Sequence, residues 1–323
     1  MRVYLARRII QSIIVVFVMV TLMFVIFRII PSDPTAMLVE RGMPEETRQR
    51  LLEQWGLTGP LYVQYVRYLT NLFQGDFGLS FFYSKPVWEI LAPKVLNTLW
   101  IAIPGLLLGA TFGSVLGMFV GWSRRGGAID GLGILLATVI RGAPPFVTGI
   151  LALMVFSGFF DLLPGFGMRT PGANPSGFAA TYLNGDFLQH LILPVAVVAL
   201  TFIPENLLLM RTGVLEARGE DYLEMVRAKG VSEFRVMWHA GRNSLLPVIT
   251  WLFPSLAETV AGIVLVEVVF SWPGVGRELV FSVTRQDMPI AQAGFFLLAV
   301  MIVASNLLAD LVYSYLDPRV VYK

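Results

Sequence analysis

The chain has 323 residues, 56 % of them hydrophobic and 14 % charged, with a mean hydropathy of +0.70. Soluble domains carry charge on roughly a quarter of their residues; 24 Lys and Arg with 22 Asp and Glu cannot clothe a soluble globule of this size, and the same apolarity excludes disorder. The absence of cysteine excludes disulfides, thiolate metal sites and a thiol nucleophile, two histidines (His190 and His239) argue against a haem or zinc centre, and a net charge of +2 predicts no nucleic-acid partner.

The composition is that of an all-α, polytopic membrane protein, whose spans are windows of about 20 residues lacking charge. The first window runs from Ile9 to Ile30, interrupted by Arg28. A cleaved signal peptide is the competing reading of residues 1–30, but its apolar core would be about twice the usual length, and Pro31-Ser32-Asp33-Pro34 offers no small-residue cleavage site. The second window lies between Lys94 and Arg124, and the third between Asp130 and Asp161, with Arg141 inside it. The fourth extends from Asp186 through Glu205 to Met210. The fifth runs from Arg242 to Phe270, broken by Glu258 and Glu267, and the last lies between Asp287 and Asp310. This predicts six helices.

Lys and Arg in the short loops set the orientation. Arg2, Arg7 and Arg8 precede the first span, and alternation groups Arg124, Arg125, Arg211, Arg218, Arg227, Lys229, Arg235, Arg242, Arg319 and Lys323 on the same side. Both termini are therefore expected in the cytoplasm. The outer segment 31–94 has soluble character. Pro44-Glu45-Glu46 starts a helix that should stop at Gly56, and a second helix from Leu61 to Phe73 should stop at Gly75. The segment suits docking or gating and is too short for a catalytic domain.

Two spans carry unusual patterns. In the second, Gly105, Gly109, Gly113, Gly117 and Gly121 recur every four residues, a stripe that admits another helix backbone to backbone. It reads either as static packing or as a moving interface, and a period of four makes it wind towards more than one neighbour. The third span holds Arg141-Gly142-Ala143-Pro144-Pro145. Two prolines remove two donors and open the helix, and such backbone survives at membrane depth only against protein or a wet cavity. Arg141 is a functional candidate because a charge at that depth is costly. Glu205 and Glu258 are its possible partners, in a solvent-lined pathway or in a structural ion pair.

The inner loop from Arg211 to Asn243 is expected to form two short amphipathic helices. The first spans Glu220 to Lys229, with Tyr222, Leu223 and Val226 on one face. Gly230 ends it, and Ser232 can cap a second helix holding Phe234, Met237 and Trp238. Exposed aromatics between spans suit a partner protein. A helix lying on lipid is the competing reading, weakened because five acids, Glu216, Glu220, Asp221, Glu224 and Glu233, nearly cancel the six positive charges.

At this loop the sequence resembles the permease subunits of prokaryotic ABC importers for dipeptides and oligopeptides. The signature of such permeases, E-A-A-x3-G, is matched in frame by Glu224 to Gly230, with the acid and glycine kept and both alanines replaced. The peptide branch reads D-Y-x3-A-R-A-K-G and then H-A-x-R-N-x-L-x-P. Asp221-Tyr222, Arg227-Ala228-Lys229-Gly230, His239-Ala240-Gly241-Arg242-Asn243 and Pro247 follow it. Further similar blocks are Leu5-Ala6-Arg7-Arg8, Gly75 to Ser80 with Pro86-Val87, His190 to Pro194, Phe270 to Arg277, and Leu316-Asp317-Pro318-Arg319.

The resemblance implies a type I ABC importer permease fold in a prokaryotic plasma (inner) membrane. It divides the chain into a first transmembrane helix (1–30), an extracytoplasmic segment (31–94) and a five-helix core (95–323) with a coupling loop at 211–243. It implies a second permease of related but different sequence, two cytoplasmic ATPases, an extracytoplasmic binding protein, a peptide substrate and a lipid bilayer around the whole. The coupling residues would be Asp221, Tyr222, Glu224, Arg227, Ala228, Lys229 and Gly230. The translocation pathway would take in Arg141, Pro144, Pro145, Glu205 and Glu258. No catalytic residue, metal or cofactor is expected: the chain's lysines are Lys85, Lys94, Lys229 and Lys323, none in a G-K-[ST] motif, so there is no P-loop. Permeases of the same branch for nickel chelates or oligosaccharides are the alternatives. In another class stands an ion-driven secondary carrier, for which the expected mid-membrane carboxylate and histidine constellation and inverted repeats are not evident.

Overall fold

The computed structural model describes residues 2–29, 44, 46, 49, 53, 58–173 and 175–316. Its helices are α1 (Arg2–Ile29), α2 (Leu61–Phe73), α3 (Val87–Trp122), α4 (Ala128–Gly142), α5 (Pro145–Ala152), α6 (Phe178–Tyr182), α7 (Gly185–Ala217), α8 (Asp221–Ala228), α9 (Glu233–Asn243), α10 (Leu245–Val269), α11 (Val275–Thr284) and α12 (Met288–Leu316). A π-helical segment, Leu153–Phe159, continues α5. Among the described residues, β pairing is limited to a bridge between Leu79 and Pro86. The helix expected from Pro44 to Gly56 lies almost entirely outside the described residues, whereas the second outer helix has the expected bounds.

Among the described residues, five helices are long and apolar enough to cross a membrane: α1, α3, α7, α10 and α12. The third expected span takes a different form. It is the pair α4 and α5 with its π-helical extension, bent by 96°. Ala143 and Pro144 leave helical geometry, Pro144 caps α5 and Pro145 opens it. Proline at the first helical position loses nothing, because that N–H has no intrahelical partner. Only with this pair counted as one span does the number reach six.

The chain divides into two compact units, one of residues 99–272 with 304 onwards, the other of residues 2–98 and 273–303. In the second unit, α2 lies on α1: Tyr65 and Thr21 share a 2.7 Å hydrogen bond, and the Phe24 ring meets Tyr65 at 5.1 Å and Tyr68 at 5.6 Å. Val87, Leu91, Ile290 and Ala293 form a buried core with Phe77 against it. Two of the sequence blocks quoted above act as fasteners here. The buried carboxylate of Asp287 accepts from Ser80 Oγ and from the Phe81 and Phe82 amides. Asn97 donates to the Pro273 carbonyl at 2.9 Å, and Thr98 Oγ1 accepts from the Val275 amide at 2.9 Å. That amide is one of the orphan donors at the start of α11. Lys94 and Glu278 form an ion pair at 2.9 Å.

In the first unit, α7 is central and packs against α4, α5, α9 and α10. Asn184 caps it by accepting from the Phe187 amide at 2.8 Å. The helix continues through Pro194 and Pro204 to Ala217, past the Met210 expected from sequence. All five stripe glycines of α3 meet this one helix. A Cβ at Gly105, Gly109, Gly113, Gly117 or Gly121 would stand under 3.0 Å from Val198, Ala199, Ile203, Leu207 or Arg211 respectively. From Gly109 onwards the contacts on α7 also advance by four residues, so the two stripes precess together along one neighbour. The packing is backbone on backbone.

Candidate functional site

The inner loop forms the expected pair of helices, α8 and α9, on either side of Gly230, whose φ of 72° ends α8 in the left-handed region that favours glycine. Ser232 occupies the N-cap of α9, but through its backbone: its carbonyl accepts from the Arg235 and Val236 amides, and the hydroxyl makes no cap bond. Leu223 of α8 and Val236 and Ala240 of α9 are fully enclosed, packed with Tyr222, Val226, Val231, Ala217 and Trp122. Arg227 Nε donates to Glu233 at 3.2 Å, linking the two helices.

The anchor of this miniature core is Trp122, the last residue of α3. The Arg218 and Arg227 guanidiniums lie 5.2 and 5.7 Å from its ring centroid, within cation–π range. Arg218 also donates to the Trp122 and Ser123 carbonyls at 3.0 and 2.8 Å, capping acceptors that a helix C-terminus leaves open. The loop is thereby attached to the ends of the glycine-packed pair α3 and α7. Its other side is open: Met225, Phe234 and Trp238 are 63, 62 and 57 % exposed. Asp221, Glu224, Ala228, Lys229 and Gly230 are exposed, and Tyr222 and Arg227 are half-buried.

The second cluster lies at the bend between α4 and α5. Arg141 Nη1 and Glu205 Oε2 stand 3.0 Å apart, with the arginine side chain 63 % exposed and the glutamate 29 %. Beside them is a cavity of about 290 Å³ lined by residues 140–145 with Thr148, Leu200 and Thr201. Arg141, Pro144, Pro145 and Glu205 are thus brought together, whereas Glu258 is exposed and does not join the pair.

Sequence reasoning passed over three residues that hold this region. Asp130 is buried and takes Arg211 bidentately, Nε to Oδ1 at 2.6 Å and Nη2 to Oδ2 at 2.9 Å, while the Gly126 amide donates to Oδ2 at 2.9 Å. Arg211 counted only as a loop charge, and Asp130 only as the edge of a window. Trp122 was one apolar residue at the end of a long run. The available signals were a lone acid at a window edge and an indole at a span end. Neither names its partner, because the partners are 81 and 96 residues away.

The family described as "Binding-protein-dependent transport system inner membrane component" matches residues 113–322, and its N-terminal companion matches residues 1–102. The chain is 34 % identical over 324 residues to the dipeptide transport system permease protein DppB of Escherichia coli (strain K12), covering 95 % of each. It is 34 % identical to the oligopeptide transport system permease protein AppB of Bacillus subtilis (strain 168) over the full length of both. It is 32 % identical to the glutathione transport system permease protein GsiC of Salmonella typhimurium, covering 99 % of each. A helical chain with a half-exposed helical loop on glycine-packed spans, matched along its length in this way, belongs to the binding-protein-dependent transport system inner membrane components.

Proposed function

We propose that this chain is the permease subunit of an ATP-driven importer and forms half of a translocation pathway for di- or oligopeptides delivered by an extracytoplasmic binding protein. It is a transport component and not an enzyme; ATP is hydrolysed by two partner ATPases, and a second, related permease completes the pathway. The supporting observation is the two-sided loop of α8 and α9, with one side packed on Trp122 and the other presenting Met225, Phe234 and Trp238. Dipeptide, oligopeptide and glutathione permeases among the relatives favour peptides over nickel chelates, oligosaccharides or ion-driven carriage.

In this reading the chain sits in the plasma membrane with both termini inside, residues 1–30 as the first span, 31–94 outside, and the core at 95–323. The coupling residues are Asp221, Tyr222, Glu224, Arg227, Ala228, Lys229 and Gly230. When the ATPases close on ATP, they move α8 and α9. Arg218 and Arg227 on Trp122 carry that motion to the α3–α7 pair, whose close packing makes it move as one body. The bend at Arg141-Pro144-Pro145, with Glu205, lines the pathway, and Glu258 lies further along it. Purification of the assembled complex from its native membrane, followed by peptide uptake in vesicles, tests this reading. Two ATPases and a second permease should co-purify, and uptake should require ATP. Uptake that instead follows an ion gradient, with no ATPase bound, would refute it.

A further inference from the structure

We infer that Arg141 is the carboxylate-recognising residue of the pathway, held by Glu205 when no solute is present and transferred to the carboxylate of the transported peptide when one arrives. This rests on the reading of the chain as a peptide permease.

Three features of the bend converge on one cavity. The first is an accessible cation: the Arg141 guanidinium is 63 % exposed, and the residue lines the cavity of about 290 Å³. A guanidinium can hold a carboxylate in a bidentate fork, and Glu205 meets Arg141 through one Nη1–Oε2 contact at 3.0 Å, which a solute carboxylate could replace with a full fork. The second is the direction of α5. This helix begins at Pro145, beside Arg141, and its positive end adds to the field that favours an anion there.

The third is backbone left open on both walls. Pro144 and Pro145 have no N–H, so the Ile140 and Arg141 carbonyls lack their ordinary helix donors; Ile140 is met instead by the Ala143 amide at 3.1 Å. On the facing wall Pro204 lies inside α7, so the carbonyl of Leu200, a lining residue, lacks its donor as well. The cavity thus offers a cation for a carboxylate and carbonyl acceptors for peptide N–H groups. Its volume of about 290 Å³ is far more than the roughly 10–15 Å³ that one water needs, room enough for a peptide terminus. A purely structural ion pair would need neither the accessible cation nor the carbonyls opened on two facing helices.

The test uses the complete transporter in proteoliposomes, with two peptides matched for affinity to the binding protein, one ending in a free carboxylate and the other in an amide. In the wild type the acid should be taken up faster. Arg141→Gln should lower acid uptake about 10-fold or more and change amide uptake little, bringing the ratio towards 1. Arg141→Lys should fall between, and Glu205→Gln should keep the acid preference. In the Arg141→Gln, Glu205→Gln double variant the ratio should stay near 1, even if expression recovers. Equal losses for both peptides in Arg141→Gln, relieved in the double variant, would overturn the inference and leave a structural ion pair. A wild type that imports neither peptide would refute the peptide reading itself, a result distinguishable from an unchanged ratio.

Discussion

Trp122 brings together one indole, two guanidiniums and three helix ends. Each cation–π contact is worth about 0.5–1 kcal/mol when exposed and more when water is excluded, and Arg218 adds hydrogen bonds to open carbonyls at the end of α3. The pair Asp130–Arg211 is placed differently. Both groups are largely enclosed, with side-chain exposures of 5 and 16 %, and removing one partner strands the other in low dielectric. Asp130→Asn should therefore lower stability by about 3 kcal/mol, read as a clear fall in Tm of the purified complex. Asp130→Asn with Arg211→Gln should recover most of the loss, since neither charge then remains. Failure of the double variant to recover would mean that the two residues act separately.

Helix packing in this protein depends on what is absent from side chains. In lipid there is no hydrophobic gain in bringing two apolar helices together, so close van der Waals approach must supply the energy. The stripe from Gly105 to Gly121 allows α7 that approach at five successive turns. A methyl at Gly117 would meet the backbone of Leu207, which cannot yield as a flexible side chain does. Gly117→Ala should force the helices apart and cost about 1–3 kcal/mol or more, measurable as loss of folded complex on heating in detergent. Gly131 of α4 is an internal control, because a Cβ there meets nothing within 4 Å. Gly131→Ala should be neutral or stabilise by about 0.5–1 kcal/mol through helix propensity. Equal effects of the two substitutions would contradict the packing account.

For the whole molecule, the proposed reading has partner ATPases drive a chain that has no P-loop of its own, with α8–α9 as the surface that receives them. Two substitutions separate docking from transmission. Glu224 is exposed, so Glu224→Lys should leave assembly intact while uptake falls at least 10-fold. Gly230→Pro demands a φ near −65° where the backbone stands at 72°; it should rearrange the turn between α8 and α9 and abolish uptake without removing the chain from the membrane. Vesicle uptake together with ATPase assays on the same preparations checks both. Wild-type transport and ATPase stimulation in either variant would dismiss the loop as the coupling element.

Much of this was legible beforehand because membrane spans and caps are local phenomena. Charge-free windows located α1, α3, α7, α10 and α12, and Gly75 and Gly230 marked helix ends through conformations that only their own residues need. The bend of 96° was less legible: Pro144 and Pro145 say that the helix opens, but its angle depends on what packs beside it. The glycine stripe announced a close approach without naming α7. Arg141 announced a partner, and Glu205 over Glu258 was decided by where α7 runs. Sequence alone determined that the chain is helical, apolar enough to span a membrane and furnished with two short helices around Gly230, since hydropathy and caps are properties of short stretches. Tertiary structure alone decided that Trp122 anchors the loop, that Asp130 holds Arg211 and that the carbonyls left without donors by Pro145 and Pro204 face one cavity, because each is a meeting of residues far apart in the chain, set by packing and not by local preference.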